Sequence, residues 1–333
     1  MASVVRPWTD YGPMLRSLYG ATVYRVGVDG GFSCPNRASD RSGGCVFCDG
    51  TGASSVYQRD NEQVFAHGTS FASALCFGPR YAGGMEARLS SVDEQIERGK
   101  KFLERRYNAR LFSLYLQAWT NTWGSHDEME AVWNHALSRG PWVEFIVSTR
   151  PDCVGDTVAD SLAACSSQVR KVWAEIGLQS ANDATLRRMS RGHGSSGFIP
   201  AVKRLHSRGI GVCAHLILGY PGERWDDYEK TVSMVNDSGC EAVKIHNLHI
   251  PGGTRLYAEY QQGEIAVAST MRHVEDVIFV LRRLKSDVMV QRLVCETPDH
   301  RLAVPRGFAD KNKFLMLLQR TMEERNVRQG DLA

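Results

Sequence analysis

Residues 30–50, GGFSCPNRASDRSGGCVFCDG, decide how the rest of the chain is read, because Cys34, Cys45 and Cys48 form a C-x10-C-x2-C run. Three thiolates at this spacing can hold a four-iron cluster while leaving one iron open to another ligand. The run follows a strand-like segment, TVYRVGVDGG (22–31), and Gly30, Gly31, Gly43 and Gly44 let the backbone fold tightly around a bulky inorganic core. Structural zinc is the first rival, but it takes four ligands, and after Cys48 no Cys or His follows until His67. A disulfide is the second, and three clustered cysteines leave one unpaired.

Working outward, 333 residues of which 43% are hydrophobic suffice for one large core, and an α/β barrel uses this much chain as one domain. The first residues, MASVVRPWTDYG, contain no apolar run of signal-peptide length, and no stretch approaches the roughly 20 apolar residues that span a bilayer. The expectation is a cytoplasmic protein with no membrane contact. Nine cysteines in a reducing compartment read as thiols or metal ligands. Cys76, Cys153, Cys165, Cys213, Cys240 and Cys295 have no C-x2-C spacing, so no auxiliary cluster is indicated and buried thiols are expected for most.

Short β-rich runs alternate with amphipathic helices, the pattern of βα units on a parallel sheet. Six strands are predicted at 22–29, 111–118, 143–148, 171–179, 210–218 and 241–248, most of them too apolar for half-exposed antiparallel strands. Ser91 with Glu94 and Ser125 with Glu128 read as capping boxes opening two helices. The expected fold is therefore α/β, a partial (β/α)6 barrel of the TIM type. A helical lead-in (1–21) precedes the core (22–250), and a C-terminal extension (251–333) packs on the barrel with a helix near 271–285, a strand near 287–293 and a tail helix near 310–325. Within the core, residues 49–90, rich in Gly, Ser and Ala, read as an insertion and a candidate lid over the site.

Barrel chemistry sits at the C-terminal ends of the strands. Polar groups recur there: Gln117 in QAWTNTW, Thr149 in STRPDC, Glu175, Gln179 and Ser180 in EIGLQS, Arg188 and Arg191 in RRMSRGH, and Leu218 and Gly219 in HLILGYPGE. Behind a cluster loop, such groups match in kind the needs of S-adenosylmethionine (SAM), a carboxylate, an ammonium, ribose hydroxyls and an adenine. Each alone reads equally well as a solvated turn, and their ordered recurrence carries the inference. Near strand six, Lys244, His246 and His249 can orient a substrate or move protons. Cys295 can return a hydrogen atom or be a buried thiol.

The ordered markers GGFSCPNR, GGCVFC, LQAWTNT, TRPDC, EIGLQSANDATLRRMSRGH, HLILGYPGE and VKIHNLHIPGGT make the chain resemble the YhcC/YtqA-type radical SAM proteins, relatives of the elongator-type and coproporphyrinogen-oxidase-type enzymes. That resemblance implies a radical SAM barrel, a [4Fe-4S] cluster on Cys34, Cys45 and Cys48, and SAM on the open iron, with Glu175 at the ribose and residues 215–223 along the adenine. It implies a one-electron donor of flavodoxin or ferredoxin type and reductive cleavage to a 5′-deoxyadenosyl radical. It also implies a tRNA substrate, the carboxymethylaminomethyl side chain of wobble uridine being converted toward the aminomethyl form. A net charge of +3 supports this faintly, through KKFLERR (100–106), RRMSRGH and RRLK (282–285) as candidate phosphate contacts. A radical reaction on a small molecule or peptide, and a non-catalytic iron–sulfur or SAM-binding protein, stay open as alternatives.

Overall fold

The computed structural model describes residues 6–37, 43–48, 57–58, 84–296, 302–308 and 310–333. Strands β1 (Val23–Val28), β2 (Leu111–Leu116), β3 (Glu144–Thr149), β4 (Lys171–Gln179), β5 (Gly211–Leu218) and β6 (Ala242–Asn247) lie side by side, each parallel to the next. They fall within a residue or two of the predicted runs, because strands covered on both faces are spelled by nearly unbroken apolar sequence. Val26, Val28, Leu114, Leu116, Phe145, Val147, Ile176 and Leu216 are all buried in one core.

The sheet has seven strands rather than six. After a two-residue strand β7 (Ile250–Pro251), the chain forms β8 (Met289–Arg292), which pairs in parallel with β6. The sequence places this strand in the extension, but the helix before it (Thr270–Arg283) buries Val274, Val277, Ile278 and Leu281 and so acts as one more crossover. Within the extension itself, β7 pairs antiparallel with β9 (Ala303–Val304).

The sheet curls until its edges communicate. Arg25 on β1 donates through Nη2 to Gln291 Oε1 on β8, at 2.8 Å, although these strands stand at opposite ends of the order. Helix α1 (Tyr11–Tyr19) closes the lower end, with Tyr11 and Leu15 packed against Ile146, Trp173, Cys213 and Ala242 from four strands. Glu144 anchors it. This carboxylate accepts from Tyr11 (3.0 Å), Tyr19 (3.3 Å), Ser113 (3.1 Å) and Trp173 Nε1 (3.1 Å). Buried charge is tolerated when such donors replace water.

Helix α2 (Gly84–Tyr107) begins before the predicted capping box, so Ser91 lies inside it and its hydroxyl accepts from Gln95 Nε2 at 3.3 Å. Met85 and Leu89 pack against the core and extend the apolar face toward the N-terminus. Residues 84–90 of the expected insertion are therefore helical, while 49–56 and 59–83 lie outside the described residues, as does Cys76. Of the second box the capping half is present: Ser125 Oγ accepts from the Glu128 amide at 3.3 Å and caps α3 (His126–Ser138). The outer layer continues with α4 (Asp156–Ala164), α5 (Asp183–Arg188), α6 (Phe198–His206), α7 (Trp225–Ser238), α8 (Arg255–Gln261), α9 (Thr270–Arg283) and α10 (Lys311–Glu324).

His273 on α9 supplies a pH-dependent contact between extension and core. It is fully buried between Phe308 and Phe314, and its Nε2 lies 2.9 Å from the Leu293 carbonyl, the arrangement of a neutral donor. Burial pushes its pKa down from 6.5 to about 4. Between those values the unfolded chain binds more protons, so the stability from the neutral ring is complete above pH 6.5 and lost as pH falls toward 4. In urea unfolding, the stability gap between wild type and His273→Met should narrow by about 2 kcal/mol from pH 7 to pH 5. A constant gap would contradict this account.

Candidate cluster and cofactor site

The cysteine loop leaves β1 at the C-terminal rim of the barrel and is fixed by the loops beside it. Ser33 O accepts from Thr120 N (3.2 Å), Val46 N donates to Met189 O (3.0 Å), and Leu256 N donates to Val46 O (3.1 Å). Arg255 Nη2 reaches Gly44 O at 3.2 Å. Val46 is buried with Met189, Tyr220, Leu248, Ile250 and Leu256, and Phe47 packs on the same group. The apolar pair between Cys45 and Cys48 is thus the loop's hydrophobic anchor. Cys34 and Cys48 are partly exposed and Cys45 is buried at the rim, whereas Cys153, Cys165, Cys213 and Cys240 are buried.

Nitrogen donors approach two of the three sulfurs. Arg150 Nη1 is 3.7 Å from Cys34 Sγ, and Cys45 Sγ receives Arg191 Nη1 at 3.6 Å and Asn36 Nδ2 at 3.7 Å. Two glycines clear the space. A Cβ at Gly177 would stand 2.5 Å from Arg191 Nη2, and one at Gly192, where φ is +77°, would stand 2.4 Å from Asn36 Oδ1. Arg191 Nε and the Tyr220 hydroxyl are buried without a partner. Thiolates in one loop, cations and N–H groups aimed at them, and orphaned donors beside them fit an anionic iron–sulfur cluster. They do not fit zinc, for which no fourth ligand joins the group among the described residues.

The other expected residues divide by height in the barrel. Gln117, Thr149, Gln179, Ser180, Leu218 and Gly219 stand at the rim. The Thr149 hydroxyl shares a hydrogen bond with Thr122, tying two rim loops together. Gln179 has φ of +68°, as strained non-glycine backbone at a strand end. Ser180 donates to Glu223, whose carboxyl burial pushes up to about 7. Gly219 N donates to the Tyr228 hydroxyl at 2.9 Å. Arg188 pairs with Glu259 at 3.1 Å, both side chains partly exposed.

Glu175 does not reach the rim. It lies inside the barrel with its side chain 0% exposed, holding Arg25 (2.8 Å), His215 Nε2 (2.9 Å) and Lys244. Lys244 also donates to the Tyr115 hydroxyl at 3.3 Å. Burial raises the cost of the Glu175 charge, but Lys244 and Arg25 outweigh it and hold the carboxyl well below its usual range. Burial likewise pushes Lys244 down to about 7 against the pull of Glu175. Glu175, Cys213 and His215 sit close enough together to suggest a metal site. The two cations already on Glu175 argue against it, as does burial that pushes the Cys213 thiol well above its usual range. His246 stacks obliquely on His215, ring centroids 5.7 Å apart, and its Nε2 is unpartnered. Cys295 stands just past β8, its amide donating to Asn247 Oδ1 at 2.8 Å. Arg25, Asn36 and Arg150 were not singled out by the sequence reading of the site, and His215, the first residue of the segment expected along the adenine, is paired with Glu175.

Two of the three basic clusters prove to lie at the wrong end. RRLK closes α9 and KKFLERR closes α2, each just before a strand begins, so both sit below the barrel. Arg282 pairs with Asp331 (2.9 Å), Arg283 with Glu229 (3.4 Å), and Lys285 Nζ donates to Asn236 O (3.0 Å). RRMSRGH alone borders the mouth.

The sequence matches the family description Radical SAM superfamily over residues 34–235 and Radical_SAM C-terminal domain over 240–324. Protein YhcC of Escherichia coli K12 is 28% identical over 318 residues, 95% of this chain and 93% of its own length. A tRNA-2-methylthio-N(6)-dimethylallyladenosine synthase of Geobacter sulfurreducens is 34% identical over 84 residues, 24% of this chain and 19% of the synthase. Among solved structures, the archaeal Elp3 of Methanocaldococcus infernus shares the fold with a TM-score of 0.60 at 20% identity, over 72% of this chain and 60% of that one. No described helix is long and apolar enough to cross a membrane. A superfamily match that opens at Cys34 and runs across the curled parallel sheet makes this chain a member of the radical SAM superfamily, an enzyme whose cofactors are a [4Fe-4S] cluster and SAM.

Proposed function

We propose that Cys34, Cys45 and Cys48 ligate the cluster, that SAM lies against the rim between them and the ends of β4 and β5, and that the substrate is the wobble-uridine side chain of tRNA, converted from carboxymethylaminomethyl toward aminomethyl. When bound, the cofactors supply one-electron cleavage of the sulfonium carbon–sulfur bond and removal of a hydrogen atom from the substrate. The chain's part is positioning. Gln179, Ser180, Gly219 and the Leu218 backbone face the methionine and adenosine parts, with Gln117 and Thr149 completing the rim. Lys244 Nζ and His246 Nε2 hold or move a proton below the substrate, and Cys295, at the mouth, stands where a thiol can return a hydrogen atom. A flavodoxin- or ferredoxin-type protein delivers the electron.

The observation that carries the cofactor part is the approach of cationic and amide donors to Cys34 and Cys45 at the rim. The substrate part is supported by the ordered YtqA-type markers and by a relative named for tRNA modification. Dithionite-reduced, reconstituted protein should form 5′-deoxyadenosine from SAM. Mass spectrometry of tRNA nucleosides from cells lacking the protein should show carboxymethylaminomethyluridine accumulating at the expense of the aminomethyl form. An unchanged nucleoside profile alongside intact SAM cleavage would redirect the enzyme to a small molecule or peptide.

A further inference from the structure

The two guanidinium groups at the cysteine sulfurs differ in one respect. Arg150 is 3% exposed and carries its own counter-charge, Asp152, at 2.7 Å. Arg191 has no acidic partner among the described residues: beyond Cys45 Sγ its Nη2 donates to Gly177 O at 3.1 Å, and its Nε is buried and unpartnered. A half-buried cation without a carboxylate is costly to desolvate unless an anion arrives beside it. The chain is shaped to keep it there. Arg191 sits between Ser190 at φ +50° and Gly192 at φ +77°, a strained turn, and Gly177 leaves vacant on β4 the space its guanidinium fills.

We propose that Arg191, seconded by Arg150, sets the reduction potential of the cluster; this rests on the reading of Cys34, Cys45 and Cys48 as its ligands. Adding one electron makes the cluster more negative by one charge. A fixed cation with an N–H on a ligand sulfur stabilises that reduced state more than the oxidised one and so raises the potential. Arg191 dominates because Asp152 offsets much of the field of Arg150, and Asn36 adds only the dipole of an amide on Cys45. The device brings the cluster within reach of its one-electron donor, and Arg191 acts as a positioning residue for charge.

The test is an EPR-monitored redox titration of the anaerobically reconstituted full chain, with iron counted in each sample. Arg191→Gln should hold four irons and shift the midpoint to more negative potential, while Arg191→Lys, which keeps the charge, should recover part of the shift. Gly177→Ala should shift it in the same direction, because the new methyl displaces the guanidinium without removing it. Arg150→Gln should give a smaller shift than Arg191→Gln. An unchanged midpoint in four-iron Arg191→Gln and Gly177→Ala overturns the proposal. Loss of iron from both of these and from Arg191→Lys also overturns it, by making the arginine a scaffold for the loop. A wild-type chain that takes up no four-iron cluster sinks the underlying reading first, and the inference with it.

Discussion

Alanine at Cys34, Cys45 or Cys48 should each abolish the brown absorption of the reconstituted protein and lower 5′-deoxyadenosine formation by more than about a hundredfold, since loss of outer partners alone typically costs 10–100-fold and a lost ligand costs more. The three sulfurs come from one loop. Cys153, whose thiol burial pushes up to about 12, is a poor substitute even though it lies on a neighbouring rim loop. The measurement is iron and sulfide per chain together with the absorption spectrum. A single alanine variant that keeps four irons and its activity would remove that cysteine from the ligand set. Because Val46 and Phe47 anchor the loop independently, the variants should unfold in urea near the wild-type midpoint when all are compared without iron.

Glu175→Leu should be the most destabilising single change in the barrel interior, by about 3–5 kcal/mol in urea unfolding, out of the 5–15 kcal/mol that a domain typically has. The substitution leaves Arg25 and Lys244 facing each other across the lumen with no charge between them. Neutralising one of them should restore much of the loss, so Glu175→Leu combined with Lys244→Met should be more stable than Glu175→Leu alone. If the double variant is instead less stable than either single change, the network is not a balanced unit. SAM binding offers the second measurement: it should survive in Glu175→Gln, which keeps the shape and loses the charge, because the carboxylate is committed below the rim.

These two sites show what the sequence reveals and what it conceals. The strands were legible because a parallel sheet covered on both faces is written in Val, Ile and Leu, and Ser125 was legible as a cap because its partner stands three residues on. Ser91 carried the same local signal and does not cap, since packing of Met85 and Leu89 lengthened its helix. The cysteines were legible from spacing alone. The lumen was not, because Arg25, Glu175 and Lys244 each look like one polar interruption of an apolar strand, and their mutual contact depends on how far the sheet curls. A signal was available all the same: a charge within a buried strand requires partners, and Arg25, Glu175 and Lys244 are the opposite charges that can serve one another. Arg150 was hidden for another reason, since its pairing with Cys34 spans 116 residues and passes through two loops. The RRLK cluster misled because charge composition carries no information about which end of a barrel a helix finishes at.

The two ends of the described chain are clasped to the same edge strand. Val290 N donates to Thr9 O at 2.7 Å, Gln329 N to Pro7 O at 2.9 Å, and the Gln329 side chain takes the Thr9 amide and the Val288 carbonyl. During synthesis, Pro7 and Thr9 therefore lack these partners until residues 288–329 have emerged, although Tyr11 and Leu15 can already pack on β3 to β6. That clasp covers the edge beside Val290 against pairing with a neighbouring nascent chain.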